Sequence, residues 1–191
     1  MTDRPTHFRI DPVTEPSEEV TEILSTALTH DGSVLNLFKV FANHPKLMKR
    51  FNLLGGFILN KGLLPERERE IVILRVGANA VSRYEFGQHT VIGKRCGMAD
   101  EEIRALLRPA DAHAWSEDDS ALIAMADDLC ADDCVSDNTF DRLRSRWNDA
   151  EIIELVMVAG FYRMVSGFLN SMGIELDGGV PDFPEEPSTG V

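Results

Sequence analysis

Three cysteines in 191 residues are too few and odd in number to make a disulfide framework, and a chain this long does not need one. They read as reduced thiols. Basic charge is also scarce: 19 Lys and Arg stand against 32 Asp and Glu, a formal charge of −13, and no Lys/Arg-rich run occurs. That balance repels a phosphate backbone, so nucleic acid is not an expected partner. No stretch approaches the roughly 18 to 20 uninterrupted apolar residues of a membrane span, and Met1–Ile10, with Asp3, Arg4, Pro5 and His7, has no apolar signal region. The expected location is the cytoplasm, with no membrane partner. Alternating strand patterns and repeats of fixed period are missing as well.

What remains is helical periodicity. Residues 1–16 hold three prolines and no helical period, and residues 178–191 hold Pro181, Pro184 and Pro187, so both ends read as an arm and a tail. Between them, 17–177 read as one all-α bundle. Ser17 caps a first helix over 18–28. Val34, Leu35, Leu37, Phe38 and Phe41 make a second, stopped at His44-Pro45. Pro45 opens a third, whose apolar positions Leu47, Met48, Phe51, Leu54 and Ile58 repeat at three and four residues; it ends at Lys61-Gly62, where glycine offers a left-handed cap. Pro65 opens a fourth, 66–80, apolar nearly all round at Ile71-Val72-Ile73-Leu74 and therefore central. The remaining helices are 83–95, then 101–107 capped by Asp100, 117–130 capped by Ser116, 138–147, and a long last one from Asp149 to Met172 closed at Gly173.

The chemistry-bearing group is Glu85 with His89. At i and i+4 they share a helical face, and a carboxylate beside an imidazole makes a proton relay. An ordinary surface pair that props the helix is the competing reading. Tyr84 and Phe86 flank the pair and Gly87 leaves space above it, as a small-molecule site needs, and Glu70 on the preceding helix can point across at His89. Two carboxylates and one imidazole are a poor metal set without a second histidine, and no metal or other cofactor is expected. Cys130 and Cys134 enclose Asp132 and Asp133, which raise a thiol pKa rather than lower it. Tyr162 and Arg163 in the last helix are candidates to extend the site, and His44 to line its mouth.

Leu64-Pro65-Glu66-Arg67-Glu68-Arg69-Glu70-Ile71-Val72-Ile73-Leu74-Arg75-Val76, then Tyr84-Glu85-Phe86-Gly87-Gln88-His89, then Gly97-Met98-Ala99-Asp100-Glu101-Glu102-Ile103 resemble the carboxymuconolactone decarboxylase family, which includes the alkylhydroperoxidase D-like proteins. The family's peroxidase branch has a Cys-x-x-Cys pair ahead of the histidine; here those positions hold Ser82 and Glu85, so thiol peroxidase chemistry is disfavoured. The decarboxylase branch has Tyr-Glu-Trp before the histidine, similar to Tyr84-Glu85-Phe86. By resemblance, His89 donates or accepts the proton, with Glu85 and Glu70 orienting it. Tyr84, Phe86 and Ser82 would contact substrate, and Arg75 or Arg83 would meet a carboxylate. The resemblance implies an all-α bundle, cofactor-independent decarboxylase, lyase or isomerase chemistry on a small carboxylated or lactone metabolite, and a homo-oligomer: dimer, trimer or hexamer. A peroxidase-like stress protein and a non-catalytic helical binding or assembly module are the alternatives.

Overall fold

The computed structural model describes residues 4–25, 29–30 and 32–184. Among them the chain forms α1 (Glu18–Leu24), α2 (Asn36–Phe41), α3 (Pro45–Asn60), α4 (Glu66–Asn79), α5 (Arg83–Arg95), α6 (Asp100–Ala105), α7 (Glu117–Asp132), α8 (Asp137–Arg144) and α9 (Asp149–Met172). A two-residue antiparallel hairpin, β1 (Thr29–His30) and β2 (Ser33–Val34), is the sheet among these residues. The fold is all-α, and each helix anticipated from the periodicity is present. The anticipated C-terminal turn of the first helix, 26–28, lies outside the described residues.

Local chemistry sets the boundaries. Ser17 Oγ accepts from Val20 N, Ser116 Oγ from Asp119 N, and Asn148 Oδ1 from Ala150 N and Glu151 N, each satisfying amides that a helix start leaves without partners. Gly173 ends α9 in the left-handed conformation, φ 64°. Two expected caps differ. Asp100 is not the cap of α6: Glu102 reaches back to accept from Ala99 N at 2.8 Å, leaving Asp100 inside the first turn to pair with Lys94. Gly62 does not take a left-handed cap either. The Glu154 carboxylate of α9 lies against it and accepts from Leu63 N and Leu64 N, so any Cβ there would strike that carboxylate.

The centre of the bundle is α4, which packs against α5, α7 and α9. Ile71, Val72, Ile73, Leu74 and Val76 are fully buried, as an all-round apolar helix requires. Among the described residues, α9 alone is long and apolar enough to cross a membrane by length and composition. Glu154 and Arg163 interrupt its apolar run, which is why the sequence shows no continuous span there. Half of its apolar window is buried inside the bundle, where Leu155, Val158, Tyr162 and Leu169 meet the core.

The two proline-bearing ends are irregular in their described parts, but they are packed. Arg9 N donates to Met172 O, Val13 N to Lys39 O, and the Arg4 guanidinium to Ala80 O. At the other end, residues 173–184 run back over α5. Asp177 accepts from Asn36 N, from the Tyr84 hydroxyl and from Gln88 Nε2, while Asp182 pairs with Arg83. Gly87 makes this possible: a Cβ there would collide with Pro181 O and the Val180 side chain. The space over Gly87, read from sequence as room for a ligand, is filled by the chain itself.

Candidate active site

α4 and α5 are joined by a turn of three residues in which Val81 is forced to φ 49°, a conformation costly for a β-branched side chain. Val81 N bonds Ala78 O and Ser82 N bonds Gly77 O, which folds α5 back along α4. That reversal brings Glu70 of α4 to His89 of α5. His89 Nδ1 lies 2.6 Å from Glu70 Oε2, and its Nε2 lies 3.0 Å from Glu85 Oε1. Arg69 adds a second cation, its Nε donating to Glu70 Oε1 at 3.1 Å and its Nη1 to Leu59 O at 3.1 Å.

All four side chains are buried, Glu70 completely. Two carboxylates are thus set against a guanidinium and an imidazole, the pairing that charge burial demands. Burial opposes the imidazolium of His89, but the charge and hydrogen bond of Glu70, with those of Glu85, outweigh it and raise its pKa to about 10. Near neutral pH His89 is a cation donating to both carboxylates. Tyr162 of α9 meets the His89 ring edge-on at 4.9 Å, and burial, with the nearby charges of Glu85 and Glu70, raises its hydroxyl pKa so that it stays protonated.

These groups form part of the wall of a cavity of about 410 Å³. α3 contributes Asn52, Gly55, Gly56 and Leu59, α5 contributes Glu85, Gln88, His89 and Ile92, and α9 contributes Phe161, Tyr162 and Val165. Glu85 and His89 border the space, whereas Glu70 stands behind His89. Glu85 Oε1 faces His89, and Oε2 has no partner among the described residues. The carboxylate, rather than the imidazole with both nitrogens engaged, is therefore the group free to meet a ligand.

The structure places the other sequence candidates unevenly. Tyr84 lines the cavity, held by Asp177. Phe86 does not: one residue on from Glu85 it turns inward and packs on Phe183 with centroids 5.2 Å apart. Ser82 is fully buried outside the cavity. Arg75 is turned away, because five residues after Glu70 amount to about 140° around the helix; it binds Asp127 at 2.6 and 2.8 Å and the carbonyls of Leu106 and Arg108. Arg83 pairs with Asp182 at the surface, Arg163 with Asp133, and His44 caps α3 by accepting from Leu47 N.

Sequence reasoning did not single out Arg69, Arg95 or Asn52, all of which line the cavity together with Cys96. The signal was present for the α5 residues: Glu85, His89, Ile92 and Cys96 form one i, i+4, i+7, i+11 stripe. Cys96 is not activated, since burial, the charge of Glu70 and contact with Glu66 push its thiol up to about 11. Among the described residues, no group of three His, Cys, Asp or Glu side chains is arranged to hold a metal ion.

Comparison with known proteins agrees with this architecture. The chain is similar to an uncharacterized peroxidase-related protein from Silicibacter sp. TM1040, at 16% identity and TM-score 0.80, over 95% of this chain and 97% of that one. It is similar to another from Ralstonia eutropha JMP134, described as an alkylhydroperoxidase AhpD core, at 17% identity and TM-score 0.76 over 93% and 95% of the two chains. The debrominase Bmp8 in complex with 2,3,4-tribromopyrrole shares the fold at 13% identity and TM-score 0.76, over 91% and 94%. No curated protein matches the sequence significantly. The model of the carboxymuconolactone decarboxylase family matches residues 45–128, which contain Glu70, Glu85, His89 and the α3 wall of the cavity. In that segment the chain is thus similar to the carboxymuconolactone decarboxylase family, and over nearly its whole length it has the helical fold of the AhpD-like solved structures.

Proposed function

We propose that this protein is a cofactor-independent enzyme that moves a proton at a carbon next to a carbonyl, as a decarboxylase, lyase or isomerase acting on a small carboxylated or lactone metabolite. The observation that carries the reading is the unshared Oε2 of Glu85 at the cavity wall, backed by His89 and Glu70 in one buried line. In the isomerase form, Glu85 takes the proton from the carbon as the C–H electron pair moves into the carbonyl as an enolate; the proton then returns to another carbon. In the decarboxylase form, the C–C pair left by departing carbon dioxide becomes the enolate, and the proton held by the His89 imidazolium passes through Glu85 to the carbon, with solvent restoring it. Tyr162, kept protonated by its surroundings, is the donor available to an enolate oxygen.

Thiol peroxidase chemistry is the weaker reading. Ser82 and Glu85 stand where the peroxidase branch has cysteines, and Cys96, which does line the cavity, has its thiol pushed away from the reactive thiolate. The test is a panel of lactones and keto acids in D2O, with exchange or decarboxylation followed by mass spectrometry. Glu85→Gln should abolish the reaction, and His89→Ala should reduce it by about 10²-fold or more, on the scale of general acid–base catalysis. Folded variants of both kinds with undiminished rates would rule out the relay.

A further inference from the structure

The α3 wall of the cavity holds an amide that the bundle itself does not use. Both Nδ2 and Oδ1 of Asn52 are buried, and neither has a hydrogen-bond partner among the described residues. Three other side chains share this state, Ser82, Ser166 and Trp115, but none of them lines the cavity. Buried amides are normally satisfied, because an unpaired donor and acceptor forfeit the bonds they had with water. A leucine of similar size would fill the position without that cost.

The surroundings give the amide something to face. Gly56 lies one turn on from Asn52, on the same stripe of α3, and also lines the cavity; a Cβ built there meets nothing within 4 Å. The helix therefore presents a donor and an acceptor side by side next to open space. Leu59 of the same helix and Phe161 of α9 make the adjoining surface apolar, while Glu85 and His89 belong to the α5 wall. An acceptor alone, such as an ester carbonyl, meets only Nδ2 and leaves Oδ1 unsatisfied.

We propose that Asn52 is the specificity-determining residue of the cavity, and that among the carbonyl compounds of the proposed function it selects small cyclic ones whose C=O carries an adjacent N–H or O–H, namely lactams, enols and hydroxylated lactones or other hydroxy-carbonyls, over simple lactones. Oδ1 accepts from the ligand's N–H or O–H, and Nδ2 donates to its carbonyl. The carbonyl is thereby held at a fixed angle, with its neighbouring carbon in the space bordered by Glu85. The inference rests on the proton-transfer reading for its choice of carbonyl compounds, but it concerns binding and is tested without turnover.

Two six-membered rings of nearly equal shape separate the cases: δ-valerolactam has donor and acceptor, δ-valerolactone has acceptors only. Their dissociation constants are measured by ligand-observed NMR titration on the wild-type protein and on Glu85→Gln. The lactam should bind about tenfold tighter or better, since a site built to pair a polar group penalises a ligand that leaves it unpaired. Asn52→Leu should erase that preference. Gly56→Leu, which fills the open space on an ordinary helical backbone, should weaken both probes at least tenfold with the helical circular dichroism unchanged. Equal affinities in the wild type, a preference that survives Asn52→Leu, or binding indifferent to Gly56→Leu would each overturn the assignment. If selectivity holds while no exchange is found on any substrate, the proton-transfer reading fails and the role of Asn52 stands. If exchange is found without selectivity, the proton-transfer reading stands and the role of Asn52 fails.

Discussion

Raising the pH from 7 to 9 should loosen this fold through His89. Its pKa is about 10 in the folded protein, against the ordinary value of 6.5 that it regains on unfolding. Between those values the folded state keeps a proton that the unfolded state has released. Stability from this group is complete below pH 6.5 and drains away as pH rises through about 10. The slope in that window is about 1.4 kcal/mol per pH unit for one proton, so two pH units remove about 2–3 kcal/mol, a sizeable part of the 5–15 kcal/mol typical of a domain. Cys96, raised from 9.0 to about 11, adds loss of the same sign only above pH 9. Urea unfolding at pH 7, 8 and 9 measures the slope, with Glu70→Gln as the internal reference. That substitution leaves a hydrogen-bonding side chain beside Nδ1 but removes the charge that holds the proton, so its stability should change much less over the same range. A wild-type curve that is flat from pH 7 to 9, or a Glu70→Gln curve just as steep, would refute the assignment of a charged His89 to the buried cluster.

Other expected outcomes follow from single contacts. Arg75→Met should destabilise by about 2–4 kcal/mol, because Asp127 and two carbonyls lose their donor, while activity per folded molecule stays near wild type; a selective loss of turnover would return Arg75 to the site. Gly87→Ala should cost about 1–3 kcal/mol and open the segment 177–184 to limited proteolysis, because the new methyl displaces Pro181. Val81→Asn should raise the melting temperature, relieving about 1 kcal/mol of left-handed strain, and a fall would show that Val81 packing outweighs its backbone cost. Light scattering at micromolar concentration should find at least a dimer. Leu53 and Phe57 on α3 and Ile153, Met157 and Met164 on α9 are exposed, and the helices that carry them pack together through Phe51 and Phe161. A monomeric wild type removes that expectation, and Phe57→Glu with Met157→Glu should produce a monomer from any such assembly.

Helices were legible because each announces itself twice, by an apolar stripe and by a capping residue. Ser17, Ser116 and Gly173 are where local chemistry needs them, and no distant residue competes. Gly62, Asp100 and Gly87 were misread because their surroundings come from elsewhere in the chain: Glu154, the pair of Glu102 and Lys94, and the segment at Pro181. The juxtaposition of Glu85 and His89 follows from four residues of helix, and that of Glu70 from a short turn, so both could be reasoned from spacing. Arg75 and Arg69 illustrate the limit. Each is a cation near Glu70 in sequence, but only the helical phase, fixed by which side of α4 meets α5, decides that Arg69 reaches the carboxylate. Asn52 gave no signal at all, since an asparagine within an amphipathic helix ordinarily faces solvent.

The contacts of Asp177 bear on the order in which the protein can assemble. Glu70 and His89 are 19 residues apart, whereas Asp177 reaches Gln88 across 89 residues and Asn36 across 141. Local pairings close early in folding and distant ones late, because loop closure precedes the contacts that reward it. The acid–base line between α4 and α5 can therefore form while α9 is still unpaired, but the wall carrying Tyr84 and Gln88 is pinned only after α9 has docked and the chain has turned back over α5. The buried line of Glu70, His89 and Glu85 is an early product of folding, and the chamber it borders is a late one.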